Sequence, residues 1–381
     1  MTILIILVRV LLIAVAAFLV VFYSTVCFFA CCQKKTCKHP KYPQKVSVVI
    51  PAYNEEGVIE NLLKDLRSQS FPISETIVLD DNSIDSTYEV AKKMNVIAVR
   101  NETKLGKAAT LNKGARITQG GIIVVFDADN RPEKDCIKHL IKHFNSEGVG
   151  AVTGVARISS DGFTSKLAAL EFSLCFCLFQ PFSSRVNFFS ILHGAYFGIR
   201  RELTSFDRNM LTEDFDISVG LVSRGYRIEF EPEAISYVSA PPSLYLFARQ
   251  RERWIRGAVE VCFKHKGIWK EVFPHIGFLG LFLKTLGYSL PLVWASNFTL
   301  LWLCYFLGEF LLMYTALCSV VFYTFIAILA NFRARNKAKD ILALPFLSYF
   351  YFSFIIWFFL KAVILENLGL RSRFDKIPHK R

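Results

Sequence analysis

Acidic and polar side chains follow three apolar stretches of the sequence, each of which has the composition of a buried strand. They are Tyr53, Asn54, Glu55 and Glu56 after the first stretch, Asp80, Asp81 and Asn82 after the second, and Asp127 and Asp129 after the last. Carboxylates gathered at one edge of a sheet repel each other unless a positive group neutralises them. Any single one could cap a helix, but three groups together indicate a binding site.

The pair Asp127 and Asp129 indicates a divalent cation. On an extended segment, side chains two residues apart lie on the same side of the chain, so both carboxylates can reach one cation, or one of them can hold a ribose. Mg²⁺ and Mn²⁺ bind oxygen ligands and usually pair with substrate phosphates, so the expected ligand is a nucleotide diphosphate. Lys107, at the start of a helix after Leu105-Gly106, offers an ammonium and free backbone N–H groups to a phosphate.

Two common nucleotide-binding motifs are absent from the sequence. No Gly-x-Gly-x-x-Gly follows the first strand, which argues against a dinucleotide dehydrogenase. No Gly-x-x-x-x-Gly-Lys-Ser/Thr occurs anywhere, which argues against a P-loop nucleotidase.

Alternating strands and helices must position these residues. Strands are expected at Val46–Pro51, Thr76–Leu79, Val96–Val99 and Ile122–Phe126. Helices are expected near 84–94 and from about 107 to 118. A further helix would carry the apolar face formed by Val58, Ile59, Leu62, Leu63 and Leu66. Four β–α units predict an α/β fold with a doubly wound, mainly parallel sheet, whose ligands bind at the carboxyl ends of the strands.

The net charge of +13 is concentrated outside this α/β region. Residues 46–270 contain 28 Lys and Arg against 27 Asp and Glu, so the excess lies in 33–45, 331–340 and 366–381. Each of these stretches adjoins a long apolar run, as cytoplasmic loops of membrane proteins do, whereas a nucleic-acid-binding protein has a broad basic face. We therefore expect membrane lipids as partners and no nucleic acid.

Long apolar segments predict membrane helices on both sides of the α/β region. Ile3–Cys32 exceeds the roughly 20 residues that cross the hydrocarbon core and is followed by lysines, which place the next domain in the cytoplasm. It is too long for the apolar part of a cleaved signal peptide. Further spans are expected near 286–307, 310–330 and 342–364. The number of crossings and the side of the C-terminal tail stay open.

Two further motifs carry side chains suited to group transfer. Thr212-Glu213-Asp214 lies at the expected start of a helix, where an acidic residue could alternatively be favoured only by the helix dipole. The transfer of a group from a diphosphate to a hydroxyl needs a base for the hydroxyl proton and a positive group for the departing diphosphate. A carboxylate at such a position can supply the base.

The second motif is Gln250, Arg253 and Trp254, which share one face of a helix because they stand at i, i+3 and i+4. An indole is a platform for a sugar ring, an arginine grips diphosphate oxygens, and a glutamine both donates and accepts hydrogen bonds. The alternative is an amphipathic interfacial helix whose arginines contact lipid headgroups. Those arginines would be Arg249, Arg251, Arg253 and Arg256.

In this order, the motifs resemble those of the family 2 inverting glycosyltransferases. The resemblance rests on Val-Ile-Pro-Ala-Tyr-Asn-Glu, Asp80-Asp81, Asp127-Ala128-Asp129, Thr212-Glu213-Asp214 and Gln250-x-x-Arg253-Trp254. It is greatest to the Gln-x-x-Arg-Trp branch, which contains the synthases of cellulose, chitin, hyaluronan and poly-N-acetylglucosamine, and it covers about residues 46–260. It implies a GT-A fold, Mg²⁺ or Mn²⁺ as cofactor, a nucleotide-sugar donor with UDP favoured, and a glycan or lipid-linked acceptor.

The resemblance also implies a role for each matched residue, with Asp214 as the catalytic base. The nucleotide-sugar site would comprise Tyr53, Asn54, Glu55, Asp80, Asp81, Lys107 and Asp127, and the metal would be held by Asp129 with Asp127. The acceptor and diphosphate end would comprise Glu213, Gln250, Arg253, Trp254 and His193. Polymer synthases tend to carry Cys or Ser at the position of His193, which either lines the acceptor site or is a core histidine. Which of Asp80 and Asp81 contacts the nucleotide stays open.

These expectations give a domain layout and a function. The layout is an N-terminal transmembrane helix at 1–32, a basic cytoplasmic linker at 33–45, a GT-A catalytic domain at 46–240, interfacial helices at 241–290, transmembrane helices at 291–365 and a basic tail at 366–381.

The expected function is that of a multi-pass cell-membrane enzyme, a metal-dependent hexosyltransferase that extends a β-linked polysaccharide at the cytoplasmic face. One alternative is single addition to a lipid-linked acceptor, because about four spans make a thin bundle for a channel. Another is an inactive nucleotide-binding scaffold. The oligomeric state is not predicted.

Overall fold

The computed structural model describes residues 21, 24–28, 45–185, 190–265, 310–334, 361 and 364–365. The expected transmembrane segments at 1–32 and 291–365 lie largely outside these residues, as do most of the linker at 33–45 and all of the tail at 366–381.

One eight-stranded sheet forms the centre of the described chain. Its strands are β1 Val46–Ala52, β2 Glu75–Asp80, β3 Ile97–Arg100, β4 Ile122–Phe126, β5 Arg131–Pro132, β6 Val149–Ile158, β7 Tyr196–Arg200 and β8 Arg227–Val238. Their order across the sheet is β3-β2-β1-β4-β7-β6-β8-β5.

Nine α-helices are described with this sheet. They are α1 Ile59–Arg67, α2 Thr87–Lys93, α3 Lys107–Ile117, α4 Cys136–Ile141, α5 Phe163–Leu174, α6 Gln180–Arg185, α7 Glu213–Ser223, α8 Leu244–Lys264 and α9 Phe310–Arg333. A π-helical segment, Cys175–Phe179, joins α5 to α6.

The first four strands are parallel, as predicted from the β–α pattern. β1 pairs with β2 and β4, and β2 pairs with β3. The central residues of β1, β2 and β4 are apolar because helices cover both faces of the sheet. Val48 and Ile50 pack with Leu62 of α1 on one face, and Val49 packs with Leu111 of α3 on the other. This arrangement brings the carboxyl ends of β1, β2 and β4 to one edge.

The second half makes the sheet mixed, which the mainly parallel prediction did not include. β7 runs antiparallel to both β4 and β6, β5 antiparallel to β8, and β8 parallel to β6. Because β7 is antiparallel to β4, its amino end lies beside the carboxyl end of β4. The Asp127 N–H donates to the Ala195 carbonyl there, at 2.7 Å. The loop before β7 therefore reaches the acidic edge.

One helical stretch in the described part of the chain, Phe163–Ser184, is long and apolar enough to cross a membrane, and most of it is buried inside the protein. It is not one of the spans predicted from the sequence. The span expected at 310–330 is helical, since it coincides with α9. That helix exposes large apolar side chains, namely Phe310, Tyr314, Leu317, Val321, Phe325 and Phe332, and it packs against α5.

Candidate active site

The Lys107 ammonium joins three parts of the fold at the acidic edge. It lies 2.6 Å from Asp127 Oδ1, at the end of β4, and 3.2 Å from Glu213 Oε1, the first residue of α7. It also donates to the Gly194 carbonyl in the loop before β7, at 2.8 Å. Lys107 itself is the first residue of α3. Lys107, which was predicted to bind a phosphate, therefore forms ion pairs with two acidic residues that are distant in sequence, Asp127 and Glu213.

Burial and charge shift the pKa values of this cluster. Burial acts to lower the pKa of Lys107, but Asp127 and Glu213 outweigh it, so the pKa is raised and the side chain is an ammonium at all ordinary pH values. Burial, with a smaller contribution from the nearby Asp129 carboxylate, raises the pKa of Asp127 to about 7 against the opposing effect of Lys107. The Lys107 ammonium thus neutralises only part of the negative charge at the end of β4.

Glu213 and Asp214 are neighbours whose pKa values move in opposite directions. Burial acts to raise the pKa of Glu213, but Lys107 and Arg253 outweigh it and the net change is downward. Burial and the Glu213 charge raise the pKa of Asp214 to about 6, against the effects of Lys107, the Phe215 N–H and Arg253. Of the two, Asp214 is the carboxylate with the greater affinity for a proton, which suits a general base.

Gly194 lies directly against Asp214. A Cβ atom on Gly194 would lie 2.5 Å from Asp214 Oδ2 and 3.1 Å from its Cγ. Only glycine therefore allows the carbonyl of residue 194 to accept the hydrogen bond from Lys107 while Asp214 keeps its position. Gly194 was not among the site residues predicted from the motifs, although its place beside His193 was a signal.

His193 lies at the other side of the same loop, between aromatic rings. Its ring centroid is 5.3 Å from that of Phe172 and 5.0 Å from that of Phe176, both edge-on. Burial, with Lys107 and Arg251 adding to it, lowers the pKa of His193 to about 3. The imidazole is therefore neutral. Its Nδ1 atom is buried and has no hydrogen-bond partner among the described residues.

Helix α8 brings the Gln-x-x-Arg-Trp motif to the start of α7. Arg253 Nη1 donates to the Leu211 carbonyl at 3.0 Å, one residue before the N-cap Thr212. The two helices approach closely at Gly257, where a Cβ atom would lie 2.5 Å from Thr212 Oγ1. These contacts hold Arg253 beside Glu213 and Asp214.

The headgroup alternative for the arginines of α8 is wrong for Arg251 and Arg256, each of which is only 2% exposed. Arg251 Nε donates to Glu171 Oε2 of α5 at 2.8 Å, and its guanidinium carbon lies 4.2 Å from the centre of the Trp254 ring. Helical spacing places residues on a face of α8, but it gives no information on a carboxylate supplied by α5. Glu171 was therefore not among the predicted site residues.

The predicted nucleotide-binding residues lie in two loops that contact each other. The Asn54 N–H donates to Ser83 Oγ at 2.9 Å, and Asn54 Oδ1 accepts from the Ile84 N–H at 3.0 Å. Asn54 has a left-handed backbone, with φ of 54°, which asparagine tolerates better than most residues. The buried Glu55 donates its N–H to Thr87 Oγ1 at 2.7 Å. Tyr53 is half-buried, and Lys104 Nζ lies 3.9 Å above its ring.

Asp80 and Asp81 are both buried and both engaged by protein donors. Asp80 pairs with Arg100 Nε at 3.2 Å and accepts from the Ser83 hydroxyl. Asp81 accepts from the Leu105 and Gly106 N–H groups at 2.8 Å each. It therefore holds the turn that precedes Lys107, in which Gly106 has a left-handed φ of 87°.

Asp127 and Asp129 fit a divalent cation. They supply hard carboxylate oxygens, and the raised pKa of Asp127 indicates a place where added positive charge would be favourable. A second group of possible ligands comprises His139, Glu231 and Glu233, whose ligand atoms lie within 4.8 Å of one another. There the Lys142 ammonium lies 3.0 Å from both carboxylates, so a cation already fills the position.

Comparison with known proteins identifies the family of this domain. Residues 47–205 match the glycosyl transferase family 2 model. The probable glycosyltransferase YdaM of Bacillus subtilis is 34% identical over 239 residues, which are 58% of this chain and 56% of that protein. A poly-beta-1,6-N-acetyl-D-glucosamine synthase of Staphylococcus aureus is 30% identical over 229 residues, 57% of this chain and 55% of that protein. The chain thus spans little more than half the length of these curated relatives.

A solved structure confirms the architecture. The mannosyltransferase of Pyrobaculum calidifontis, solved in complex with GDP-Man and Mn²⁺, matches with a TM-score of 0.60 and 20% identity, over 93% of this chain and 97% of that one. This likeness shows the GT-A fold. Residues 47–205 are therefore a family 2 glycosyltransferase domain, as the motifs predicted.

Replacing Gly194 with alanine tests the contact between the loop and the carboxylate. The added methyl group would displace Asp214, so we expect sugar transfer to fall at least about tenfold, an effect of about 1.4 kcal/mol on the barrier. Gly121→Ala is the matched control, because a Cβ atom there meets nothing within 4 Å. Transfer rates of the two variants at equal folded fraction check this. Full activity in Gly194→Ala would show that the close approach to Asp214 has no role.

Proposed function

We propose that the protein is a membrane-bound inverting glycosyltransferase that moves a sugar from a UDP-sugar to the growing end of a β-linked polysaccharide at the cytoplasmic face. The observation that carries the proposal is the Lys107 cluster. At one edge of the sheet it contains a carboxyl group of raised pKa, an ammonium group and two carboxylates whose oxygens suit a divalent cation. These are the groups that an inverting transfer requires.

The chemistry follows from the positions of the side chains. The Asp214 carboxylate takes the proton of the acceptor hydroxyl as its oxygen bonds to the anomeric carbon and the bond to the diphosphate breaks. Lys107 and Arg253 supply positive charge near the departing diphosphate. A divalent cation held by Asp129 with Asp127 would neutralise charge on the diphosphate. Glu213 keeps Lys107 and Arg253 close, because it is ionised and attracts both.

The two contacting loops after β1 and β2 form the proposed nucleotide end. Tyr53 presents a ring on which a base can stack, once Lys104 moves from its face. Asn54 and Glu55 shape the loop after β1, Asp80 holds the loop after β2 through Ser83, and Asp81 holds the turn before Lys107. In the described geometry, Asp80 and Asp81 support the site through other protein groups.

The proposed acceptor end lies where α8 meets the loop before β7. Trp254 offers its face to a sugar ring, and Gln250 offers hydrogen bonds. His193 adds a neutral imidazole, which can donate or accept without a change of charge. The aromatic rings beside it exclude water from the acceptor hydroxyl.

The membrane part of the proposal rests on α9. Its exposed apolar side chains suit lipid, and it packs against α5. A polysaccharide synthase among the relatives supports an acceptor that is a glycan. Its name also makes UDP-N-acetylglucosamine the first donor to test.

Asp214→Asn tests the assignment of the base. General-base catalysis contributes about 10²–10⁴-fold, so transfer should fall by at least about 10². In the wild-type enzyme the rate should fall as pH decreases through about 6, because Asp214 acts only when deprotonated. Asp207→Asn is the control, since Asp207 lies on a neighbouring loop and pairs with Lys264. Unchanged turnover in Asp214→Asn would refute the mechanism.

Product length separates the proposal from the second candidate, single addition to a lipid-linked acceptor. Detergent-purified protein with radiolabelled UDP-N-acetylglucosamine and Mn²⁺ should give a water-soluble product of many sugars, and EDTA should abolish it. One added sugar that partitions into organic solvent would support the lipid-linked acceptor instead. GDP-mannose in a parallel reaction tests the donor.

A further inference from the structure

Arg251 takes part in a buried interaction that the proposed chemistry does not use. It stands between Gln250 and Arg253 in the motif, yet it is only 2% exposed. Its Nε donates to Glu171 Oε2 at 2.8 Å, and its Nη2 donates to the same oxygen. A charge pair this buried needs good geometry and satisfied hydrogen bonds, because desolvation is costly.

The guanidinium also lies between two aromatic rings of its own helix. Its central carbon is 4.0 Å from the ring centre of Phe247 and 4.2 Å from that of Trp254. In addition, Nη1 donates to Gln250 Oε1. One side chain therefore contacts two of the motif residues at the proposed acceptor end, the indole by stacking and the amide by a hydrogen bond.

Glu171 links Arg251 to helix α5. It lies on α5, and the next residue, Phe172, packs edge-on against His193. The same helix packs against α9. Glu171 and Arg251 therefore connect Trp254 to the helix that also contacts His193.

We propose that Arg251 is a positioning residue that orients Trp254 and Gln250 for the acceptor sugar, with Glu171 as its anchor on α5. The inference rests on the proposed function for the identity of the acceptor. It requires arginine, because only a planar guanidinium can donate two hydrogen bonds to a carboxylate while stacking on rings. Lysine keeps the charge but not this geometry.

Fluorine NMR tests the orientation without any need for activity. The full chain, labelled with 5-fluorotryptophan in detergent, gives a Trp254 resonance that the Trp254→Phe variant identifies. We expect this resonance to shift or broaden in Arg251→Lys and in Glu171→Gln. Arg256→Lys is the matched control, since Arg256 is equally buried on the same helix, and it should leave the Trp254 resonance in place.

Kinetics with a β-linked N-acetylglucosamine tetramer and UDP-N-acetylglucosamine test the consequence for the acceptor. In Arg251→Lys and Glu171→Gln, the acceptor KM should rise at least about tenfold, while the donor KM and the slow hydrolysis of the donor stay within about twofold.

Two results would overturn the inference. One is a Trp254 resonance that is unchanged in both variants, and the other is an unchanged acceptor KM. If Arg251→Lys does not fold, Glu171→Gln provides the same two measurements. If the wild-type protein does not turn over the donor, the proposed function fails, and the fluorine spectra still decide whether Arg251 orients Trp254.

Discussion

The balance of charge around the Lys107 ammonium is the constraint on which the site depends. Asp127, Glu213 and Asp214 come from β4 and α7, and these carboxylates would repel one another without a cation between them. Lys107 contacts two of them and the Gly194 carbonyl. It thereby joins the parallel half of the sheet to α7 and to the loop before β7. The position of the lysine is in turn set by Asp81, which holds the preceding turn.

The same charges shift the pKa values of the neighbouring residues Glu213 and Asp214 in opposite directions. Glu213 is close enough to Lys107 and Arg253 for its pKa to fall, whereas Asp214 keeps a raised pKa next to the Glu213 charge. Adjacent carboxylates in one helical turn can therefore act differently, one as a permanent anion and the other as a base near neutral pH. Gly194 leaves room for this arrangement because it has no side chain.

Local patterns predicted the first half of the fold and its acidic edge. The alternation of strands and helices predicted a parallel sheet, and the polar residues after the strands predicted the edge at which Asp127 lies, whereas Asp214 was assigned to the site only through the family resemblance. The spacing of Gln250, Arg253 and Trp254 gave their common face. The antiparallel β7 was not predicted, because its pairing with β4 is a long-range contact. For the same reason nothing in the sequence indicated that Arg251 pairs with Glu171, eighty residues earlier.

The most direct test of this account is the pH dependence of the destabilisation that Lys107→Met causes. Removing the ammonium raises the pKa values of Asp127 and Asp214 further above those of the unfolded chain, and it removes the attraction that lowers the pKa of Glu213. An acidic group whose pKa is higher in the folded than in the unfolded protein makes the folded protein less stable as pH increases. The decrease in unfolding temperature of Lys107→Met relative to the wild-type protein should therefore be larger at pH 8 than at pH 5. An equal decrease at both pH values would show that Lys107 does not neutralise the acidic cluster.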